Sequence, residues 1–327
     1  MDLLIANGID WVISIQSLNG WLELPMRFFT FLGSANFFFL VLPLFYWSID
    51  AKLGLQVGLI LATSNCLKPI LKMSFASPRP YWVSEQIKAL VAEGSFGTPS
   101  GHAQDAAALW GVIAYNARKR WIWIAAIVLI FLVGFSRIYL GVHFVHDVLA
   151  GWLVGALLLS LFTRLWDSAS AWVQTKSTSQ QMMIAFGVSL LVIAVGALLV
   201  ARLDGYVIPQ EWLDNARRAG AEPDPVSMEG FLTSAGSLFG LAAGAAWIAS
   251  RGGYDASGPL EKRAFRYIIG LIGILILWMG LGLVFPRDEN IISYILRYFR
   301  YTIVGFWVTA GAPWLFFHFK LAERPKM

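Results

Sequence analysis

Charge is what this sequence has least of. Only 14% of its 327 residues are Asp, Glu, Lys or Arg, against about 25% in an ordinary soluble domain. So few ions exclude a chain of this size kept wholly in water. Cysteine is nearly absent: Cys66 alone, inside an apolar segment, excludes an internal disulfide and reads as inert packing. A basic n-region is missing, with Asp2 and Asp10 standing where its cations would be, so no secretory signal is expected. Internal repeats and low-complexity tracts are missing too. The formal charge of +5 is explained by cytoplasmic loop cations, and no nucleic-acid partner is expected.

What is there is apolar. Hydrophobic residues make up 57% of the chain and mean hydropathy is +0.63. They gather in runs long enough to cross a bilayer, which takes about 20 residues per helix. The 15 Trp suit interfacial anchoring as well as core packing. The expected fold is all-α, a polytopic transmembrane helix bundle of about nine spans. These fall near 27–48, 53–72, 103–117, 121–140, 147–166, 182–203, 230–250, 266–285 and 299–319.

Three regions follow. Residues 1–26, where Asn7, Asp10, Gln16, Asn19 and Glu23 interrupt apolar patches, read as an interfacial or re-entrant segment. Residues 27–167 hold every chemically suggestive motif. Residues 168–327 add C-terminal transmembrane helices with no recognisable site. Gly236, Gly240 and Gly244 form a small-residue stripe there, read as packing within the bundle in preference to a homodimer contact. The 204–229 loop either caps the active face or merely connects helices. Arg118, Lys119 and Arg120 form a basic turn, and Arg251, Lys262, Lys320 and Lys326 share its side if the spans alternate. The positive-inside rule makes that side cytoplasmic, the C-terminus with it, and leaves the motifs extracytoplasmic.

Charged side chains at membrane depth cost about 2.5–3.5 kcal/mol each on insertion scales, so three clusters need explaining. They are Lys72 with Arg79-Pro80, Pro99-Ser100-Gly101-His102, and Ser136-Arg137 followed by His143 and Asp147. Lys72, Arg79 and Arg137 put three cations at one membrane face, and a phosphate dianion is their obvious partner. Each such pair is worth about 4 kcal/mol at 4 Å and an effective dielectric near 20, before desolvation. The N–H groups of Ser100 and Gly101 precede a helix and can face the same anion. If a helix begins near His143, Asp147 at i+4 can take its Nδ1–H and leave Nε2 to attack phosphorus. His102 remains to protonate the leaving oxygen and then activate water. With three cations present no metal or other cofactor is required. The rival reading, His143, His146 and Asp147 as metal ligands, is disfavoured because the neighbouring cations would repel a divalent ion.

These residues carry a resemblance. Lys-x6-Arg-Pro, Pro-Ser-Gly-His and Ser-Arg-x5-His-x3-Asp appear intact and in order, and together they resemble the signature of the type 2 phosphatidic-acid phosphatase superfamily. The match covers roughly residues 27–167. It implies a membrane phosphatase with His143 as nucleophile, Asp147 as its partner and His102 as proton donor. It also implies Lys72, Arg79, Ser100, Gly101 and Arg137 as phosphate ligands. The substrate implied is a phosphorylated lipid or isoprenyl diphosphate. Arg79-Pro80-Tyr81-Trp82 and the extra C-terminal helices look like the glucose-6-phosphatase branch, whereas Asp147 is an acid that the lipid phosphatases keep and that branch lacks. A sugar-phosphate hydrolase, a phosphotransferase and a non-catalytic headgroup binder or transporter stay open as alternatives.

Overall fold

The computed structural model describes residues 3–18, 20–286 and 288–324; Asp2, Asn19 and Lys326, used above, lie outside them. Every regular element among the described residues is helical. In chain order the helices are α1 Leu3–Gln16, α2 Glu23–Phe31, α3 Ala35–Leu44, α4 Ala51–Phe75, α5 Pro80–Val83, α6 Gly101–Ala117, α7 Arg120–Tyr139 and α8 Val145–Gln174. There follow α9 Thr178–Arg202, α10 Gln210–Arg218, α11 Glu229–Ala249, α12 Leu260–Leu275, α13 Leu281–Val284, α14 Ile291–Phe306 and α15 Ala312–His318. Apolar runs fold this way because lipid offers no hydrogen bonds, and a helix satisfies its own backbone.

Among the described residues, six helices are long and apolar enough to cross a membrane, or seven if the bent pair Gly20–Phe31 and Ala35–Ile49 counts as one. That is fewer than the nine expected. The two regions outside this count, 103–117 and 299–319, are helical. α6 runs only 17 residues and buries Gln104 and Asp105, while 299–319 mixes Arg300, Tyr301 and His318 among its apolar residues. Length and polar load, not loss of helix, separate the two numbers.

The chain forms two compact units: Met1–Phe37 with Leu67–Leu161 and Ala197–Ser227, and Phe38–Cys66 with Phe162–Gly196 and Met228–Met327. In the first, α6 ends on Arg118 in a left-handed conformation (φ 54°) and α7 returns beside it. That reversal brings the start of α6 and the end of α7 to one level. α8 then lies against α6 through glycines one turn apart. A Cβ at Gly155 would sit 2.5 Å from Gln104 O and 2.7 Å from Ala107 Cβ, and one at Gly151 2.5 Å from Ser100 O. The opposite face of α8 presents Leu149, Leu153 and Leu157, all more than half exposed, as a surface for lipid tails.

In the second unit the glycine stripe is spent inside the chain. Gly236 and Gly240 of α11 meet the backbone of α14 at Tyr298 and Thr302, and Gly244 meets Thr309. Trp47, fully buried, donates to Val308 O at 2.8 Å and accepts from Tyr254 OH on its own carbonyl at 2.7 Å.

Gly155→Leu forces a side chain against fixed backbone and is expected to destabilise the protein by about 1–3 kcal/mol. Leu157→Ala, on the outward face, should shift stability much less. Unfolding of the detergent-purified variants measures both.

Candidate active site

Three segments of the first unit meet around Arg79. The end of α4 and its link supply Lys72 and Arg79, the loop between α5 and α6 supplies residues 93–100, and the turn between α7 and α8 supplies His143. Arg79 is fully buried and its donors are fully used. Nε donates to Ser95 O at 2.6 Å, Nη1 to Val142 O at 2.9 Å, and Nη2 to Glu93 Oε2 at 2.6 Å and Ser95 Oγ at 3.1 Å. Lys72 reaches the same loop, donating to Ser95 Oγ at 3.3 Å and to Phe96 O. Arg137, at the end of α7 and 2% exposed, donates to Glu93 Oε1 and to Thr30 Oγ1 of α2.

The turn that carries His143 is shaped by Gly141 (φ 76°), where a side chain would strike Lys88 O. α1 backs the turn: Gly8 packs on Phe144, and Gln16 donates to Lys88 O at 2.7 Å and Tyr139 O at 3.0 Å. α8 starts at Val145, two residues later than the helix expected from sequence. His143 Nδ1 nonetheless lies 3.3 Å from Asp147 Oδ2, and its Nε2 lies 3.3 Å from Arg79 Nη1. Because a guanidinium only donates and a carboxylate only accepts, Nδ1 carries the proton and Nε2 the lone pair. Asp147, itself fully buried, is held by Phe144 N–H at 2.9 Å and by the Thr98 hydroxyl. His146 stacks on Phe144 and lies 3.5 Å from Asp147 Oδ1, at the edge of the cluster.

Ser100 caps α6 and Gly101 opens it. The backbone N–H of Ser100 is not free for an anion, since it donates to Asp147 O at 2.9 Å and ties the second motif to the third. The free donor is its hydroxyl, which with Arg137 Nε is buried without a hydrogen-bond partner among the described residues. His102, on the first turn of α6, lies against Gly33. Lys68 packs over Gly101 and pairs with Asp105 at 2.6 Å. No group of three or more His, Cys, Asp or Glu side chains able to hold a metal is found among the described residues.

Sequence reasoning missed Glu93, Thr98 and the carbonyls of 95–96. Glu93 had a signal: three cations against one assigned acid leave a charge imbalance, and it is the sole acid between Glu85 and the Pro-Ser-Gly-His run. Burial alone would raise its carboxyl, but Arg79 and Arg137 outweigh that and hold it well below the usual carboxylate range. His143 is pushed down to about 3 by burial and by Arg79, against the upward pull of Asp147.

Two family profiles match the chain: the PAP2 superfamily over residues 53–170, and the PAP2 superfamily phosphatase, transmembrane extension, over 232–324. Phosphatidylglycerophosphatase B of Bacillus subtilis is 38% identical over 162 residues, 43% of this chain and 73% of that protein. Glucose-6-phosphatase 3 of Bos taurus is 27% identical over 366 residues, spanning 99% of each. The crystal structure of a transmembrane PAP2-type phosphatidylglycerolphosphate phosphatase from Bacillus subtilis is 31% identical. It covers 51% of this chain and 88% of its own, with a TM-score of 0.44.

A depressed His143 makes stability pH-dependent. Below the ordinary histidine value of about 6.5 the unfolded chain takes up a proton that the folded one refuses. Stability is then complete above about 6.5 and falls as pH drops toward 3, by up to about 1.4 kcal/mol per unit. Glu93, also depressed, adds the same sign below about 4.3. Thermal midpoints from pH 7.5 to 4.5 should fall more steeply for the wild type than for His143→Gln.

Proposed function

This chain belongs to the PAP2 superfamily, and on that premise we propose that it is an integral-membrane phosphatase working through a phosphohistidine, with a lipid phosphate as substrate. The observation that carries the chemistry is His143, whose Nδ1–H faces Asp147 and whose Nε2 lone pair faces the cation cluster. Nε2 attacks phosphorus while the ester P–O bond breaks, and the leaving oxygen takes a proton from His102. Water then gives a proton to His102 and attacks phosphorus, the N–P bond breaks, and inorganic phosphate leaves. Lys72, Arg79 and Arg137 carry the charge of the equatorial oxygens. The unpaired donors Ser100 Oγ and Arg137 Nε support an oxyanion as occupant, since a buried donor left unsatisfied costs about 1–3 kcal/mol. The opening of α6 at Gly101 adds backbone donors to the same place.

Sidedness follows from α6 and α7. The site lies at the start of one and the end of the other, and Arg118, Lys119 and Arg120 lie at the opposite ends. A cytoplasmic basic turn leaves the site extracytoplasmic. The phosphatase core is residues 27–167, and 168–327 serves as an extension. Two observations favour a lipid: Asp147 is retained beside the nucleophile, and the phosphatidylglycerophosphatase is 38% identical over its 162 matched residues against 27% for the glucose-6-phosphatase over 366. The end-to-end match to glucose-6-phosphatase 3 supports hydrolysis of a sugar phosphate as the second reading.

Purified protein in detergent with EDTA should release phosphate from one of phosphatidylglycerol phosphate, phosphatidate, sphingosine 1-phosphate, an isoprenyl diphosphate or glucose 6-phosphate. His143→Ala should abolish it, and His102→Gln should slow it by about 10²–10⁴-fold. Silence across the panel, or full release by His143→Ala, would refute the mechanism. Release from glucose 6-phosphate alone would turn the assignment to the second reading.

A further inference from the structure

Glu93 has no step in the reaction above, yet its carboxylate accepts from both buried arginines of the site. Its Oε2 accepts from Arg79 Nη2 at 2.6 Å and its Oε1 from Arg137 Nη2. One carboxylate therefore spans the two guanidiniums assigned to substrate oxygens. A carboxylate and one face of a phosphate offer a pair of Arg forks the same thing, two oxygens sharing delocalised negative charge. They cannot both fill the same donors. We propose that Glu93 is an internal stand-in for the substrate's phosphoryl group, neutralising Arg79 and Arg137 in the free protein and leaving them when phosphate binds. This rests on the phosphate assignment above and adds what holds that site beforehand.

The surroundings fit a side chain that moves on a backbone that does not. The Glu93 main chain is pinned on both sides: its carbonyl accepts from Tyr81 OH at 2.6 Å and its N–H donates back to the same oxygen at 3.1 Å. Gly94 O accepts from Asp224 N at 3.1 Å, and a Cβ on Gly94 would sit 2.6 Å from Glu222 O. The segment ahead of α11 thus clamps the loop. The Glu93 side chain is nevertheless 27% exposed, whereas the arginines it bridges are 0% and 2% exposed. Asp147 does not fill this role, because both of its oxygens are engaged by Phe144, Thr98 and His143. Two cations so buried need an anion in every state of the protein, and Glu93 is the acid within reach when substrate is absent.

The test is inorganic phosphate binding to the full-length protein in detergent, by calorimetry and by the rise in thermal midpoint. Wild type, Glu93→Gln and Arg137→Gln are compared. Glu93→Gln is expected to unfold at a lower temperature without phosphate, yet to bind phosphate about tenfold tighter, the equivalent of about 1.4 kcal/mol. A merely structural glutamate would weaken binding when lost. Equal or weaker binding by Glu93→Gln, with binding lost in Arg137→Gln, overturns the stand-in and leaves the phosphate site intact. Undiminished binding by Arg137→Gln overturns the phosphate assignment itself. Should Glu93→Gln not fold, Glu93→Asp replaces it. It keeps the charge but is too short to span both arginines, so tighter binding is again expected and unchanged binding overturns the proposal.

Discussion

Burying Arg79 is the constraint from which the rest of the first unit follows. A guanidinium with no exposure, at the face of an apolar bundle, has no water to solvate it, and removing partners from such a group leaves an uncompensated charge worth several kcal/mol. The protein answers with acceptors from two separate turns, Ser95 O and the Glu93 carboxylate on one side and Val142 O on the other. Each turn must then hold an exact path over several residues. The 140–144 turn needs Gly141 in a left-handed conformation and α1 behind it, and the 93–97 stretch needs Tyr81 and Asp224 to fix its backbone. Elements far apart in sequence are recruited to one cation.

The same logic separates what could be read in the sequence from what could not. The bundle was legible because apolar length is a one-dimensional property, and seven of the expected spans coincide with long helices or the bent pair. Two further expected spans, 103–117 and 299–319, are helical but are not long and apolar enough to be counted; in α6, Gln104 and Asp105 are buried by neighbouring helices, which has no signature in a hydropathy run. The candidate cations, histidines and acid stood out because their types are costly in a membrane and their spacings are short. His143 and Asp147 meet because they are one helical turn apart, even though His143 precedes the helix itself. Glu93, Thr98 and Thr30 were not legible in that way. Their partners lie 44, 49 and 107 residues away, for Arg137, Asp147 and Arg137 in turn, and only the fold sets those pairs.

Close helix packing turns three separate motifs into one site. Ser100 N–H donates to the Asp147 carbonyl, and Gly151, one turn further along α8, lies under the Ser100 carbonyl. The two helix starts are therefore locked at backbone level, where distance does not depend on rotamers. Any side chain at Gly151 would part them and move the His102 turn away from the His143 turn together. This explains why α8 carries glycines on its inner face and leucines outside: packing favours closeness on one side and lipid contact on the other.

Between those starts His143 faces opposite charges on its two nitrogens. Asp147 fixes the proton on Nδ1, and Arg79 opposes any second proton on Nε2, so the ring stays neutral far below neutral pH. A solvated histidine at pH 6 would be largely protonated and useless as a nucleophile. Here the lone pair is kept by the same guanidinium that the proposed reading assigns to the phosphate, so on that proposal one buried cation would attract the anion and preserve the base beside it. That double duty accounts for an arrangement costly in a membrane: removing the charge would relieve the burial and lose both effects at once.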